Sequence, residues 1–347
     1  MALNLVTGAP GWIGTRFIRT LLEGKSASLA RGAQACRIRC LVLPDVDASA
    51  IPQSDQVEII RGDLRNPDAV KAFCRDAEGA TLFHCAGVIH PARFTREYLA
   101  VNVYGTRNLL HAAEEAGVQK VIVLSSNSPV GVNPRPDHRF DETSPYNPYM
   151  GYGRSKMLME RVVHEVQARG KVATVILRPT WFYGPDQPQR QTTFFRMIKN
   201  GKAPIVGDGT NLRSMTYIDN LCQAMLLSAH SPAANGQTFW VADSRPYAMN
   251  EIVDTVERLM ETEFSLQVAH RRLKLPALAS DVAYWSDKLI QKLGLYYQKI
   301  HVLSEINKTI ACSVEKARRE LGYAPTIALE EGMRRSLAWC LERGIAL

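Results

Sequence analysis

Tyr152 and Lys156 stand four residues apart in the stretch GYGRSK. On a helix that spacing puts a phenol and an ammonium on one face, one turn apart. A positive charge beside a phenol stabilises the phenolate, so the pair predicts a tyrosine brought down from its ordinary pKa of about 10 toward the range of a general acid or base. Upstream, LSSNSPVG presents Ser125, Ser126 and Ser128 at the end of an apolar run, where a serine hydroxyl can hold a reacting oxygen against that phenol. Taken alone, Tyr-x-x-x-Lys is an ordinary helix-surface pair, so the elements around it must decide.

The chain opens MALNLVTGAPGWIG. A short strand, Leu3 to Val6, runs into Gly8, Gly11 and Gly14, and a helical period follows from Thr15 to Leu22. Such a strand, turn and helix aims amide N–H groups and the positive end of the helix dipole at one point, and glycines let a pyrophosphate approach without a Cβ in the way. Further strand-like runs occur at Ile38 to Leu43, Val57 to Ile60, Thr81 to Cys85, Val121 to Leu124 and Val172 to Leu177. Helical stretches such as DAVKAFCRDA and TRNLLHAAEEAG lie between them. This alternation predicts an α/β fold, a Rossmann-type doubly wound parallel sheet with ligands at the carboxyl ends of its strands. After about Tyr183 the pattern becomes Gly- and Pro-punctuated, which predicts a smaller C-terminal α/β substrate lobe. The expected division is 1–182 with 215–243 returning to it, and 183–214 with 244–347 as the lobe.

At 347 residues, one large domain with a lobe is a natural size. The 42 basic and 34 acidic residues give +8 without a basic block, which argues against a nucleic-acid tail and suits anionic ligands or a membrane surface. Seven scattered cysteines without a C-x-x-C pair read as reduced thiols, and no metal site is expected. No apolar run reaches the roughly 18 residues of a spanning helix, and no leader-like segment precedes the first strand, so a cytoplasmic protein is expected.

With these residues in order, the chain resembles the extended short-chain dehydrogenase/reductase family over nearly its whole length. The G-x-x-G-x-x-G fingerprint appears as Gly8, Gly11 and Gly14, enclosing Trp12 and Ile13. The family's Asp-Leu pair at the adenine appears in RGDLRNP as Asp63 and Leu64. FHCAGVIHP matches its fourth-strand motif, with Cys85, Ala86 and Gly87, and VNVYGTRNLL carries its helix asparagine as Asn102. LRPTWFYGP matches the segment entering the lobe, with Pro179 beside the cofactor. The resemblance implies Ser126, Tyr152 and Lys156 as catalytic residues, Ser126 being preferred over Ser125 and Ser128 by its spacing from Gly131. Tyr152 and Lys156 are also implied to contact the cofactor. It further implies a homodimer in which helices starting near Tyr98 and Tyr152 form a four-helix bundle.

The family position that selects the cofactor falls on Leu43, which neither hydrogen-bonds ribose hydroxyls nor pairs a 2′-phosphate. Asp45 or Asp47 can serve the ribose if their loop curls back, so NAD is favoured over NADP. Asn127 and Ser128 stand where dehydratases carry Asp and Glu, which disfavours dehydration. Two small-molecule activities then remain. One is oxidation of a secondary alcohol on a cyclic or bulky substrate, similar to 3β-hydroxysteroid dehydrogenases, with Asn211 and Asn220 fitting that pattern. The other is nucleotide-sugar epimerisation, for which Arg213 would grip a diphosphate. A cofactor-binding regulatory protein with an inactive site is a third class. Ser128, Trp181 and Arg213 are the candidate substrate residues. The added segment LPALASDVAYWSDKLIQKLGLYYQKI either lines an apolar pocket or lies on a membrane, with Arg271, Arg272, Lys274, Lys288 and Lys292 near it.

Overall fold

The computed structural model describes residues 2–23 and 36–347. Its centre is a sheet of seven parallel strands: β1 (Leu3–Thr7), β2 (Arg37–Val42), β3 (Val57–Arg61), β4 (Thr81–His84), β5 (Lys120–Leu124), β6 (Ala173–Pro179) and, after a long excursion, β11 (Thr238–Val241). Their order across the sheet is β11-β6-β5-β4-β1-β2-β3. The chain therefore leaves β1 toward one edge and returns at β4 on its other side, which opens a crevice above the carboxyl ends of β1 and β4.

Alternation along each strand builds two cores. In β1, Leu5 joins the helices α2 (Pro67–Phe73), α3 (Thr106–Glu115) and α4 (Met150–Ala168), while Val6 faces α1 (Trp12–Glu23) and α6 (Ile218–His230). Local signals set the helix ends: Asn66 Oδ1 accepts from the amides of Asp68 and Ala69 at the start of α2, with Pro67 as its first residue. The first helix begins at Trp12 rather than Thr15, because the amide of Thr15 already donates to the carbonyl of Gly11 at 2.9 Å. Likewise β6 runs on to Pro179, where β11 pairs with it through Val241.

The excursion carries β7 (Trp181–Tyr183), α5 (Gln189–Lys199), β8 (Pro204–Val206), β9 (Leu212–Arg213) and β10 (Met215–Tyr217) ahead of α6. Beyond β11 come β12 (Tyr247–Ala248), α7 (Met249–Thr262), β13 (Leu273–Leu275), α8 (Leu278–Lys292), α9 (Gln298–Glu305), α10 (Glu315–Leu321) and α11 (Leu329–Glu342). Three two-stranded sheets join these pieces: β10 with β7, β12 with β9, and β13 with β8. A buried carboxylate ties them to the main sheet. Asp243 accepts from the hydroxyl of Tyr183 at 2.5 Å, the amide of Tyr217 at 3.1 Å and the hydroxyl of Tyr247 at 3.3 Å.

Candidate active site

At the mouth of β1 the backbone turns through Gly8 with φ +92°, a conformation that favours glycine. A Cβ on Gly8 would lie 2.6 Å from the carbonyl carbon of Cys85, so the turn packs directly on the end of β4. A Cβ on Gly14 would meet Gly8 at the same distance, which lets α1 start against the turn. Trp12 and Ile13 begin α1, whose first turn holds no acidic residue, and the indole of Trp12 donates to the carbonyl of Pro185 at 2.7 Å. Facing the turn, Ala86 and Gly87 follow β4. This cradle of backbone amides at a helix N-terminus fits a dinucleotide's pyrophosphate.

Asp63 and Leu64 lie just past β3. The Asp63 carboxylate is held by Arg65, whose Nε donates at 2.9 Å and which keeps the acid below its usual range. Leu64 is buried under α3, with its carbonyl accepting from Asn108 at 2.9 Å. At the end of β2, Leu43, Asp45 and Asp47 are all exposed, and Asp47 accepts from the amide and hydroxyl of Ser49 and so closes its own turn. Arg61 donates to the carbonyls of Leu43 and Val46 at 3.0 and 2.6 Å, placing a guanidinium beside the same loop.

Asn102 lies in a π-helical segment, Tyr98–Gly105, of the kind often found at functional sites. Its amide is committed to protein: Oδ1 accepts from the amide of Val88 at 2.8 Å, and Nδ2 donates to the carbonyl of Val88 and the hydroxyl of Ser155, both at 2.9 Å. Asn102 is fully buried and pins the β4 loop to α4, so it positions Gly87 and Lys156.

Ser126 follows β5, and Tyr152 and Lys156 lie on α4 as their spacing predicts. The loop and the helix are stitched together by the amide of Tyr149 donating to the carbonyl of Ser128 at 3.1 Å. Ser126 Oγ accepts from the amide of Ser128 at 3.1 Å, is 3.2 Å from Ser128 Oγ, and acts on the Tyr152 phenol to lower its pKa. Ser125 is turned away: its hydroxyl donates to Glu160 at 2.5 Å. Glu160 in turn receives Nε and Nη2 of Arg178 at 3.0 and 2.7 Å in a buried pair, which commits Ser125 to this network and leaves Ser126 and Ser128 as the candidates of the serine stretch.

The lowered phenol pKa expected from the sequence is not the direction found in this structure. Burial pushes Tyr152 up to about 12, and the influences that oppose it are the Ser126 hydrogen bond and the charge of Arg190. The ammonium of Lys156 is itself buried, which lowers it to about 8, and it donates to the carbonyl of Leu124 at 2.9 Å. A Cβ on Gly87 would lie 3.3 Å from Lys156 Nζ, so the lysine is at the floor of the crevice beside β4.

Arg190, on the first turn of α5, was not legible as a site residue, because nothing in its local sequence marks it. It is solvent-accessible and makes no hydrogen bond or ion pair among the described residues. His84 is another residue the motifs did not single out. It bridges Thr7 and Thr106 through its two ring nitrogens at 2.8 Å each, and burial with the charge of Lys156 holds it neutral, down at about 3.

The candidate substrate side is lined from the excursion. Trp181 stacks edge-on to Phe194, and the guanidinium of Arg213 lies 5.8 Å from the Trp181 ring. Arg213 is paired, Nη2 donating to Glu305 Oε1 at 3.1 Å. Asn211 donates to the carbonyls of Ile306 and Lys308, and Asn220 to that of Ile327, so both hold loops in place. Pro179 is buried at the end of β6. Beyond Tyr152 the rings of Tyr98 and Tyr296 follow at 6.0 and 6.2 Å steps, and Tyr296 reaches His90 Nδ1 at 2.5 Å. A cavity of about 430 Å³ opens there between residues 90–93 and 296–298.

Residues 4–242 match the model of the NAD dependent epimerase/dehydratase family. An uncharacterized protein of Sinorhizobium fredii, y4nL, is 50% identical over 99% of this chain and 96% of its own. A 3β-hydroxysteroid dehydrogenase/Δ5→4-isomerase of Mycobacterium tuberculosis is 29% identical, over 96% of this chain and 89% of its own. The sterol-4-alpha-carboxylate 3-dehydrogenase of Saccharomyces cerevisiae is 27% identical, over 82% and 83%. Among solved structures, the UDP-glucuronic acid 4-epimerase of Bacillus cereus in complex with NAD shares the fold, with a TM-score of 0.75 at 20% identity over 99% of this chain and 100% of that one. The glycine turn, the sheet order and the match over most of the chain place this protein in the NAD dependent epimerase/dehydratase family of extended short-chain dehydrogenases/reductases.

Proposed function

We propose that this protein is an NAD(P)-dependent oxidoreductase that interconverts a secondary alcohol and a ketone on a cyclic, largely apolar substrate, in the manner of its hydroxysteroid dehydrogenase relatives. The observation that carries this choice over nucleotide-sugar epimerisation is the Arg213–Glu305 pair. The guanidinium that a diphosphate would need already faces a carboxylate. Asn211 and Asn220 agree with the steroid-type pattern, and a complete Ser126, Tyr152 and Lys156 set weighs against a regulatory protein without turnover.

The dinucleotide, when bound, supplies the hydride acceptor or donor. The glycine turn, Trp12, Ile13, Ala86, Gly87 and Lys156 would hold it, with Asp63 and Leu64 toward the adenine and Pro179 at the far end. Asp45 near the ribose position favours NAD, while Arg61 beside Leu43 is the residue that would serve NADP. Ser126 orients the substrate's oxygen, and Tyr152 takes the hydroxyl proton in oxidation or returns it in reduction. Phenolate is the form that takes the proton in oxidation and the form left once the proton is returned in reduction, and the charge of Arg190 favours it beside the role the sequence assigns to Lys156. In this reading residues 1–182 and 215–243 serve the cofactor, and 183–214 with 244–347 the substrate. The helices carrying Tyr98 and Tyr152 are the proposed homodimer surface, where Leu99 and Tyr104 are exposed.

The test is cofactor reduction, followed by absorbance, with a panel of 3β-hydroxysteroids against UDP-sugars. Turnover of a ring alcohol with either cofactor is the expected result. Interconversion of a UDP-sugar without net cofactor reduction would replace this reading with the epimerase one.

A further inference from the structure

Helix α8 is inside out. Its protein-facing side is polar: Ser280 and Asp287 are fully buried, beside Ala283. Ser280 donates to the carbonyl of Ser304 and to Asn307, Asp287 pairs with His301 Nδ1 at 2.7 Å, and Gln291 Oε1 accepts from the amide of Gly151 at 2.9 Å. Its solvent-facing side is apolar. Leu278, Val282, Trp285, Leu289 and, just past its end, Leu293 recur every three or four residues and are each more than half exposed. A surface helix in water shows the reverse arrangement, and a contiguous apolar ridge of this kind marks an interaction site.

Charge identifies what covers it. Lys288 lies along one flank with its ammonium 4.9 Å from the Trp285 ring, and Lys292 follows one turn on. Lys274 and Lys299 are exposed on the adjoining segments, whereas Arg272 turns inward to Asp254 and Glu257. The exposed acid of the helix, Asp281, is neutralised by Lys308 at 3.2 Å. Leucines and a tryptophan flanked by lysines match the boundary between acyl chains and anionic headgroups, where the aromatic ring and the lysine stems enter and the ammonium groups remain at the phosphates. A second copy meeting the same ridge across a two-fold axis would bring a like-charged flank with it.

We propose that the outer face of α8, continued by Leu293 and Tyr297, docks this protein on an anionic lipid surface. The inner face of the same helix contacts the amide of Gly151, the residue before Tyr152, and Tyr297 also borders the cavity beside His90. Docking therefore sets the mouth of the candidate site at the bilayer. On the alcohol dehydrogenase reading given above, it implies a substrate drawn from the membrane rather than from solution.

The experiment is flotation of the full chain with phosphatidylcholine vesicles, with and without phosphatidylglycerol, at low and high salt. Binding to the mixed vesicles is expected, weakened by salt and by Lys288→Ala/Lys292→Ala. Trp285→Ser/Leu289→Gln is expected to lower binding at least tenfold with an unchanged melting temperature and an unchanged NAD-induced thermal shift. Absence of flotation, equal flotation of the Trp285→Ser/Leu289→Gln variant, or a concentration-dependent dimer that this variant abolishes without any vesicle binding would overturn the proposal. Flotation reads no turnover, so docking with no steroid oxidation would reject the substrate reading and leave the docking surface standing.

Discussion

Arg213 and Glu305 face one another directly, Nη2 to Oε1 at 3.1 Å, with the guanidinium lying over the Trp181 ring. Arg213 arrives on β9, and Glu305 is the last residue of α9, so the pair forms only when the added helical segment folds back. A carboxylate at this position opposes any second anion. Replacing it, in Glu305→Gln, is expected to tighten UDP binding about tenfold, about 1.4 kcal/mol, as read by titration calorimetry. Unchanged affinity would mean that Arg213 does not address the ligand at all.

Tyr152→Phe removes the phenol on which Ser126 acts. Turnover is expected to fall by at least about a hundredfold, the usual contribution of a positioned acid or base, while NAD binding stays nearly intact. Retention of more than about a tenth of the activity would count against the proton-transfer role.

Glu160 and Arg178 form a buried, bidentate pair that also receives the hydroxyls of Ser125 and Tyr146. Glu160→Ala leaves the arginine charged and without its partner, which is expected to cost about 3–5 kcal/mol in urea unfolding. The doubly substituted Glu160→Ala/Arg178→Met chain is expected to recover part of this loss. A cost near zero for the single variant would show that water reaches Arg178.

Burial keeps His84 and His90 neutral, each held down at about 3. The unfolded chain takes up protons at these positions below about pH 6.5, where the folded chain does not. Stability is therefore full above that pH and is lost as the pH falls toward 3, at up to about 1.4 kcal/mol per unit for the fully buried His84 and less for the half-buried His90. Melting temperature is expected to decline between about pH 6.5 and 5, and His90→Gln to shallow the decline. A flat profile over that interval would show that both histidines protonate in the native state.

The order of strands and helices, the glycine turn and the Tyr152–Lys156 spacing were legible in the sequence because each is a local matter. A strand shows as an apolar run, a helix as a 3.6-residue period, and a tight turn as glycines where a Cβ would collide. Ser126 could be separated from Ser125 only by resemblance, and the fold supplied the physical reason by turning Ser125 to Glu160, thirty-five residues away. The electrostatics of the site were not legible. They depend on burial and on charges brought from distant segments, so the fold decided that Lys156 is desolvated beside β4, that the charge of Arg190 acts on the phenol, and that Glu305 pairs with Arg213. The amphipathic character of α8 was likewise present in its sequence, as apolar residues on one face and polar ones on the other. Which face turned outward was settled only when Ser280 and Asp287 found buried partners on α9 and the loop after it, because satisfying buried polar groups outweighed hiding the leucines from water.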